Sequence, residues 1–570
     1  MKIIVLLSLL VLLILLIQNK YKPSILFTSL ASIYLILDFI SFEKFAISFV
    51  NSSLLTLVLL LIVSIALEKT IFLEYFSKAI IKKNYKTTLL KLGLVTSVFS
   101  AFLNNTAVVA SLMGVIKNNK YHNPSKLLIP LSYFAIFGGT MTLIGTSTNL
   151  LVNSFVIQNG IPSLEIFDFF YVGFFITLFG VLSIYIFSFL LPSYEIEKDE
   201  IQEHLIEAKI SPTSTMINKS IIDNGLRNLE YLFLIEINRN GKIISPVPPT
   251  EIIEKDDSLL FSGDIHHIEV LKRFSGLNLV DDTEIGKLTL VDVIITPDSN
   301  LVNKKVKDAN FRSKFNAVII SLKRGSLCIS KIGDEILQAG DRLVLSVGKD
   351  FDTRDNINKN FYTLSKINQT KKFGIEKSLT IFLGFVFSIF LSAVGFLSLF
   401  KLLLIYLFIL ILFKIIKIDE IKRRFPYDIF LIIGSSLVVS KVLITSGLAK
   451  DFADIIINSF GIYGVYGSFI GIYLLTFFLT ELITNNAAAA LSFPIAFATA
   501  VNLDVNILPF VFAVAFGASA SFMLPYGYQT NLMVSSLGNY KIKDFFKIGW
   551  IISIVYSIVV IVFVPFIFPF

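Results

Sequence analysis

The chain has 570 residues, of which 54% are hydrophobic, with 55 phenylalanines and a mean hydropathy of +0.76. Values so far above the globular norm exclude an ordinary soluble domain and point to a bilayer as the solvent. The net charge of +8 does not indicate nucleic acid, because the cations cluster in loops beside apolar segments, and the single cysteine, Cys328, excludes an intramolecular disulfide.

In chain order, spanning segments are expected over residues 2–18, 24–41 and 46–67. The next apolar segment, 86–117, is interrupted by Asn104-Asn105-Thr106 and reads as a re-entrant hairpin, since irregular backbone at membrane depth is tolerated only inside protein or at a cavity. Spans over 126–153 and 167–192 follow, and then a polar block over roughly 193–373. After it come 374–396, 397–417 and 428–446, a second interrupted segment over 466–503 around Thr484-Asn485-Asn486, and spans over 507–535 and 548–568.

Each polar run is followed by a partner run closing on an asparagine, Asn149 in the first half and Asn531 in the second. The offsets are 380 residues between Asn105 and Asn485 and 382 between the closing asparagines. The same devices in the same order are an internal duplication, and paired interrupted segments are the sequence pointer to the binding site of a secondary transporter. Each half crosses an odd number of times, which makes the repeats inverted. Lys20, Lys22, Lys78, Lys82, Lys83, Lys86, Lys117, Lys120 and Lys126 fall on the side that carries the polar block. So do Lys417, Lys422, Arg423, Arg424, Lys541, Lys543 and Lys547, which places the insert in the cytoplasm and the termini outside, with no convincing signal-peptide cleavage site after the first segment.

The insert is duplicated too. Residues 216–264 line up with 301–350, Asn218-Lys219 matching Asn303-Lys304 and Asp256-Asp257 matching Gly340-Asp341. Alternating runs such as YLFLIEI and NAVIISL read as strands and NRNGK and KRGS as hairpin turns, so each unit is expected to be small and mostly β with a short early helix.

SAFLNNTAVVASL with GTSTN, and TELITNNAAAALSFP with LPYGYQTN, resemble the paired signatures of the divalent anion:sodium symporters, and the insert resembles the paired TrkA-C (RCK C-terminal) domains of one branch of that family. The fold so implied is an α-helical polytopic membrane protein of two inverted repeats, each with a re-entrant hairpin, plus a cytoplasmic insert of two small α+β TrkA-C-like domains. Its parts are 1–192 with hairpin 86–117, insert domains 205–275 and 285–355, and 374–570 with hairpin 466–503. The resemblance implies that Asn104, Asn105, Thr106, Thr484, Asn485 and Asn486 bind the substrate anion. It implies one sodium site at Ser100, Asn105 and Gly145 and another at Thr480, Asn485 and Gly527.

Asn104 stands where the family has serine and Asn486 where it has threonine, while Thr146-Ser147-Thr148 and Tyr528-Gln529-Thr530 replace its double proline. The extra N–H donors suit a fully deprotonated oxyanion, so sodium-coupled sulfate transport by alternating access is expected. A dicarboxylate carrier and a metal-oxyanion exporter are the alternatives within transport. A membrane-embedded sensor reading a small ligand at the TrkA-C pair is the alternative of another class. A homodimer in a prokaryotic inner membrane is expected, with no enzyme chemistry, since no Walker A run, GxSxG, HExxH or CxxC occurs.

Bland readings compete. An Asn-Asn pair in a membrane helix can be packing glue, and Asn104-Asn105-Thr106 also fits a glycosylation acceptor. Lys441 and Glu481 at membrane depth are either scaffold charges or functional ones. His266-His267, with no cysteine or spaced histidine nearby, reads as solvated surface rather than a metal site.

Overall fold

The computed structural model describes every residue except 19, 73–74, 76–79, 195–204, 227–228, 230–231, 241, 245–246, 264–269, 272, 280–289, 297–298, 326, 330–331, 349–350, 352–353, 355–356 and 365–372. Two compact units result. One comprises Met1–Tyr194, Thr370–Ser535 and Tyr540–Phe570, and the other Glu195–Gln369 with Ser536–Asn539.

The first unit is helical. Among the described residues six stretches are long and apolar enough to cross a membrane: Phe42–Glu68, Phe170–Leu190, Ile375–Ala393, Tyr427–Thr445, Leu448–Leu482 and Ile542–Ile567. Large apolar side chains such as Leu7, Ile14, Phe387, Phe408 and Leu412 stay exposed on these and neighbouring helices, which suits lipid contact and not water. The chain is an integral, multi-pass membrane protein.

Helix order repeats between the halves, and so does the packing. Pro23–Ile36 packs on Tyr427–Thr445, and reciprocally Leu399–Leu412, the counterpart of the former, packs on Ser52–Glu68, the counterpart of the latter. Charges mark these junctions. Asp428 accepts from Lys22 Nζ at 2.7 Å and Ser24 Oγ at 2.6 Å, Glu420 pairs with Lys69 at 2.5 Å, and Glu68 pairs with Arg424 at 2.6 Å. The C-terminal end of Ser52–Glu68 therefore lies beside the segment leading into its own counterpart, Tyr427–Thr445.

Each interrupted segment becomes a helix pair. Tyr85–Ser100 is followed by Asn105–Lys117, and Gly464–Leu482 by Asn485–Asn502. Both pairs return to where they start. Tyr85 Oη donates to Lys126 O at 3.0 Å and Thr88 Oγ1 lies 3.3 Å from His122 Nε2, so the first helix begins against the segment that follows the second. In the other half, Tyr466 Oη donates to Ile561 O at 2.7 Å and Asn506 Nδ2 to Pro569 O at 3.0 Å, while Tyr466 and Phe510 both pack on the Phe570 ring. The arm Gly464–Leu482 has 19 residues, long enough by itself to cross.

Residues 126–153 and 507–535, each expected as one spanning segment, are divided. Ser125–Gly139 and Ser147–Gln158 flank an irregular run, as do Leu508–Ser519 and Gln529–Leu537. Buried backbone polar groups freed by a break must find partners. The closing asparagines supply them, Asn149 Nδ2 donating to Thr142 O and Asn531 Nδ2 to Ser521 O, both at 2.9 Å. The helix Leu448–Phe460, between two expected segments, starts after Gly447 at φ +80° and carries Lys450, Asp451 and Asp454 in its first two turns. Its Asp451 pairs with Lys2 at 2.6 Å.

The second unit holds two five-stranded antiparallel sheets. Strands β1 (Leu205–Ile210), β2 (Leu232–Arg239), β3 (Lys242–Ile244), β4 (Ser258–Gly263) and β5 (Leu277–Leu279) lie in the order β3-β2-β4-β1-β5. Strands β6 (Leu290–Ile295), β7 (Ala317–Arg324), β8 (Leu327–Ile329), β9 (Arg342–Val347) and β10 (Phe361–Thr363) repeat that order as β8-β7-β9-β6-β10. The register shifts at Leu234/Glu236 in one sheet and at Ile319/Ser321 in the other. A bidentate pair recurs as well: Arg239 grips Asp257 at 2.9 Å through Nε and Nη2, and Arg324 grips Asp341 at 2.8 and 2.9 Å. Ile235 and Leu260 pack on Ile320 and Val344, joining the two sheets. The short early helix is present as Phe311–Phe315 in the second domain, while residues 221–226 of the first are turns. His266 and His267 lie outside the described residues.

The two sheets differ at one buried position. Glu207 and Glu236 flank Leu260 from opposite strands, whereas the corresponding positions of the second sheet hold Asp292, gripped by Arg342, and Ser321. Ser258 stands where the second sheet has Arg342 and donates a hydroxyl to Glu207. Burial, then the charge of Glu207, pushes the Glu236 carboxyl up to about 7. An acid whose pKa rises on folding stabilises the fold fully below its unfolded value and loses that contribution as pH climbs through the folded one. Stability of β2 and β4 is thus expected to fall between about pH 4.5 and 7, and Glu236→Gln to flatten that profile. Hydrogen exchange of residues 258–263, corrected for intrinsic rates, measures it; equal pH slopes in both proteins would contradict the assignment.

Candidate transport site

The first tip is built by a helix start. Asn104 caps Asn105–Lys117, its Oδ1 accepting from Thr106 N at 2.9 Å, which leaves Asn105 as the first helical residue. Asn105 is buried and bonded at both ends of its amide. Oδ1 accepts from Ser100 Oγ at 2.6 Å, and Nδ2 donates to Tyr528 Oη at 2.7 Å. Ser100 Oγ also faces Ala135 O at 2.9 Å.

The second tip repeats this from Thr484, which is exposed and makes no side-chain cap bond. Asn485 Oδ1 accepts from Thr480 Oγ1 at 3.2 Å, and Thr480 Oγ1 faces Ala518 O at 2.6 Å. A hydroxyl, the tip amide five residues on and the carbonyl of the next helix therefore recur as one triad in each half.

The glycines lie beside these triads. A Cβ on Gly139 would sit 2.6 Å from Asn105 Nδ2, and one on Gly145 would sit 2.5 Å from Gly139 O. One on Gly527 would sit 2.7 Å from Thr480 O and 2.1 Å from Ser521 Oγ. Side chains at these positions would displace the tips, so the close approach requires glycine. The structure thus groups Ser100, Asn105 and Gly145 at one break and Thr480, Asn485 and Gly527 at the other.

The tips pair across the repeats. Thr106 Oγ1 lies 3.4 Å from Gln529 Oε1, and Asn486 Oδ1 lies 3.3 Å from both Ser147 Oγ and Thr148 Oγ1. Tyr528 Oη, beside Asn105, also lies 3.4 Å from Thr146 Oγ1, which connects all four runs. Thr106, Gln529, Ser147, Thr148 and Asn486 each occupy the first turn of a helix. Four helix N-termini, each carrying partial positive charge, are thereby drawn together in pairs. Sequence reasoning named Ser147, Thr148, Tyr528 and Gln529 only as departures from a family pattern and missed their place in the site. The extra hydroxyls and amides in those runs were the available signal.

Glu481 has a structural explanation. Its Oε1 accepts from Phe522 N at 2.9 Å and Met523 N at 3.0 Å, and Oε2 accepts from Leu524 N at 3.1 Å, so it holds the second break. Lys441 is half-buried and makes no ion pair among the described residues. Two buried oxygens at the breaks, Asn149 Oδ1 and Ser521 Oγ, have no hydrogen-bond partner there. No group of three or more His, Cys, Asp or Glu side chains able to hold a metal occurs among the described residues. Hydroxyl, amide and carbonyl oxygens suit a hard cation, not a transition metal.

The sequence matches the citrate transporter family model CitMHS over residues 4–517. The chain belongs to that family. Family membership makes it a transporter and not an enzyme. It is 28% identical over 550 residues to a Chlamydomonas reinhardtii protein provisionally named a sulfur deprivation response regulator, covering 90% of this chain and 92% of the relative. It is 27% identical over 558 residues to an uncharacterized transporter of a Synechocystis strain, covering 93% and 91%. Sodium/sulfate cotransporter 1 of Chlamydomonas reinhardtii is 28% identical over 364 residues, 61% of this chain and 41% of that protein.

Proposed function

We propose that this family member is a sodium-coupled symporter of a small divalent oxyanion, sulfate being the substrate that fits its donors best. The observation that carries the reading is the pairwise meeting of four helix N-termini whose runs, 104–106, 146–148, 484–486 and 528–530, contain no lysine or arginine. Like partial charges facing one another are unfavourable until an anion lies among them. Three of the contacts spanning the pairs, at 3.3–3.4 Å, are at the weak end of the range and cost little to exchange for bonds to an oxyanion, while the 2.7 Å bond from Asn105 Nδ2 to Tyr528 Oη holds the first pair. Asn104, Asn105, Thr106, Thr484, Asn485 and Asn486 would donate to the anion. Neither motif contains an arginine to grip a carboxylate bidentately.

Sodium would lie at Ser100, Asn105 and Gly145 and at Thr480, Asn485 and Gly527, sharing each tip asparagine with the anion and so coupling the two. The name of the cotransporter relative supports sodium and sulfate alike. The helix pairs are read as re-entrant hairpins, since each returns to its starting place, and the repeats as inverted, since Ser52–Glu68 ends where its counterpart begins. Alternating access would move the hairpin-bearing bundle against the remaining helices. The insert is read as two TrkA-C-like domains in the cytoplasm of a prokaryotic cell, binding an unidentified small ligand within a homodimer.

Radiolabelled sulfate uptake into proteoliposomes tests this, with sodium or potassium outside and succinate or citrate as competitors. Sulfate uptake that needs sodium and resists a large excess of either carboxylate is expected. Uptake unchanged in potassium would refute the coupling, and displacement of sulfate by citrate at equal concentration would make this a carboxylate carrier. With residues 200–365 replaced by a short linker, affinity for sulfate should persist; its loss would place the insert in the permeation path.

A further inference from the structure

The two breaks are not copies of each other. Thr142 and Ser521 correspond, because the carbonyl of each accepts from the closing asparagine of its repeat. Their hydroxyls are used differently. Thr142 Oγ1 donates to Ala101 O, whereas Ser521 Oγ, in a fully buried residue, has no hydrogen-bond partner among the described residues. The difference follows from the residue 380 positions on from Ala101, which is Glu481. Glu481 holds the second break through three backbone N–H groups, so no hydroxyl is needed to tie it down.

A buried hydroxyl without a partner forfeits hydrogen bonds that water would have given it, and where the backbone is broken, as at Ser521 and unlike Ser468 inside a regular helix, carbonyl oxygens stand beside it that a cation can share. Ser521 Oγ lies against Gly527, and the same face of Gly527 meets Thr480 O. We propose that Ser521 Oγ is a cation ligand at the second break, so that the two cation sites differ in their donor sets. This rests on the reading of sodium coupling given above. The Glu481 carboxylate, bonded to the amide of the next residue, Phe522, adds negative charge near the same spot, which favours a cation over a water molecule. The first break has no counterpart to that charge, because Ala101 stands there.

Equilibrium binding of radioactive sodium to purified, detergent-solubilised full-length protein, with no anion substrate present, tests the assignment without any transport step. Ser521→Ala is expected to lower apparent sodium affinity by about tenfold, the effect of one ion–oxygen contact, while Ser521→Thr, which keeps the hydroxyl, should bind like the wild type. Ser468→Ala serves as the control, removing another buried, partnerless hydroxyl from the regular helix Gly464–Leu482, and should change nothing. Thermal unfolding in potassium verifies that each variant is folded. Ser521→Ala binding sodium as tightly as the wild type, or Ser468→Ala weakening it equally, would overturn the role of Ser521. No saturable sodium binding by the wild type would overturn the coupling reading and this inference with it.

Discussion

Alanine at Asn105 or Asn485 is expected to abolish uptake while leaving the protein inserted and folded. The Asn105 amide is bonded at 2.6 Å to Ser100 and at 2.7 Å to Tyr528, so truncation removes two buried hydrogen bonds, worth about 1 kcal/mol each. A loss of about 2 kcal/mol is small beside the packing of the whole helical unit, and folding should survive it. Transport should not. In the proposed mechanism the same amide orients the tip, offers its oxygen to the cation and its N–H to the anion, and bridges the repeats through Tyr528. Asn485, whose side chain makes one hydrogen bond among the described residues, from Thr480 at 3.2 Å, loses less structure on truncation and should fold the more readily of the two. Uptake from proteoliposomes, set against a monodisperse size-exclusion profile, is the measurement. Uptake within threefold of the wild type in either variant would mean that the tip amides do not carry the coupling.

Much of this arrangement is legible in the sequence because polar residues at membrane depth are conspicuous. Asn104-Asn105-Thr106 and Thr484-Asn485-Asn486 interrupt otherwise apolar runs, and the nearly equal offsets of these runs and their partner runs expose the duplication. The insert is legible for a related reason: its strands and turns recur at a constant spacing, and the two sheets repeat one strand order. The breaks at 140–146 and 520–528 lie inside runs that hydropathy reads as continuous; their local signs are Gly138-Gly139, Gly145, Pro525, Gly527 and the hydroxyls and amides of the partner runs. Leu448–Phe460 is too short and too charged to register as a span. The cross-pairing of Thr106 with Gln529 and of Asn486 with Ser147 joins residues hundreds of positions apart, and no local pattern encodes such contacts. Glu481 shows the limit most clearly. Its charge was visible, but its role depends on N–H groups some forty residues away that are free only because a helix breaks there.

That role predicts the second large effect. Glu481→Ala should leave Phe522 N, Met523 N and Leu524 N without acceptors in a setting where water cannot replace them. Hydrogen bonds to a charged acceptor contribute about 1.5–3 kcal/mol each, so losing three should destabilise the second break by roughly 5 kcal/mol or more. Glu481→Gln is the informative contrast. A glutamine carbonyl can still accept from Phe522 N and Met523 N, but its amide nitrogen would face Leu524 N, donor against donor, and the charge is gone. The alanine variant is therefore expected to lower the unfolding temperature and the yield of folded protein. The glutamine variant should fold nearly normally yet bind sodium more weakly, because the second break keeps most of its shape but loses the charge that favours a cation. Thermal unfolding with and without sodium separates the two effects. If both variants unfolded at the wild-type temperature and gained the same stabilisation from sodium, Glu481 would be neither the clamp on the break nor the source of its negative field, and Ser521 would lose its electrostatic support as a ligand.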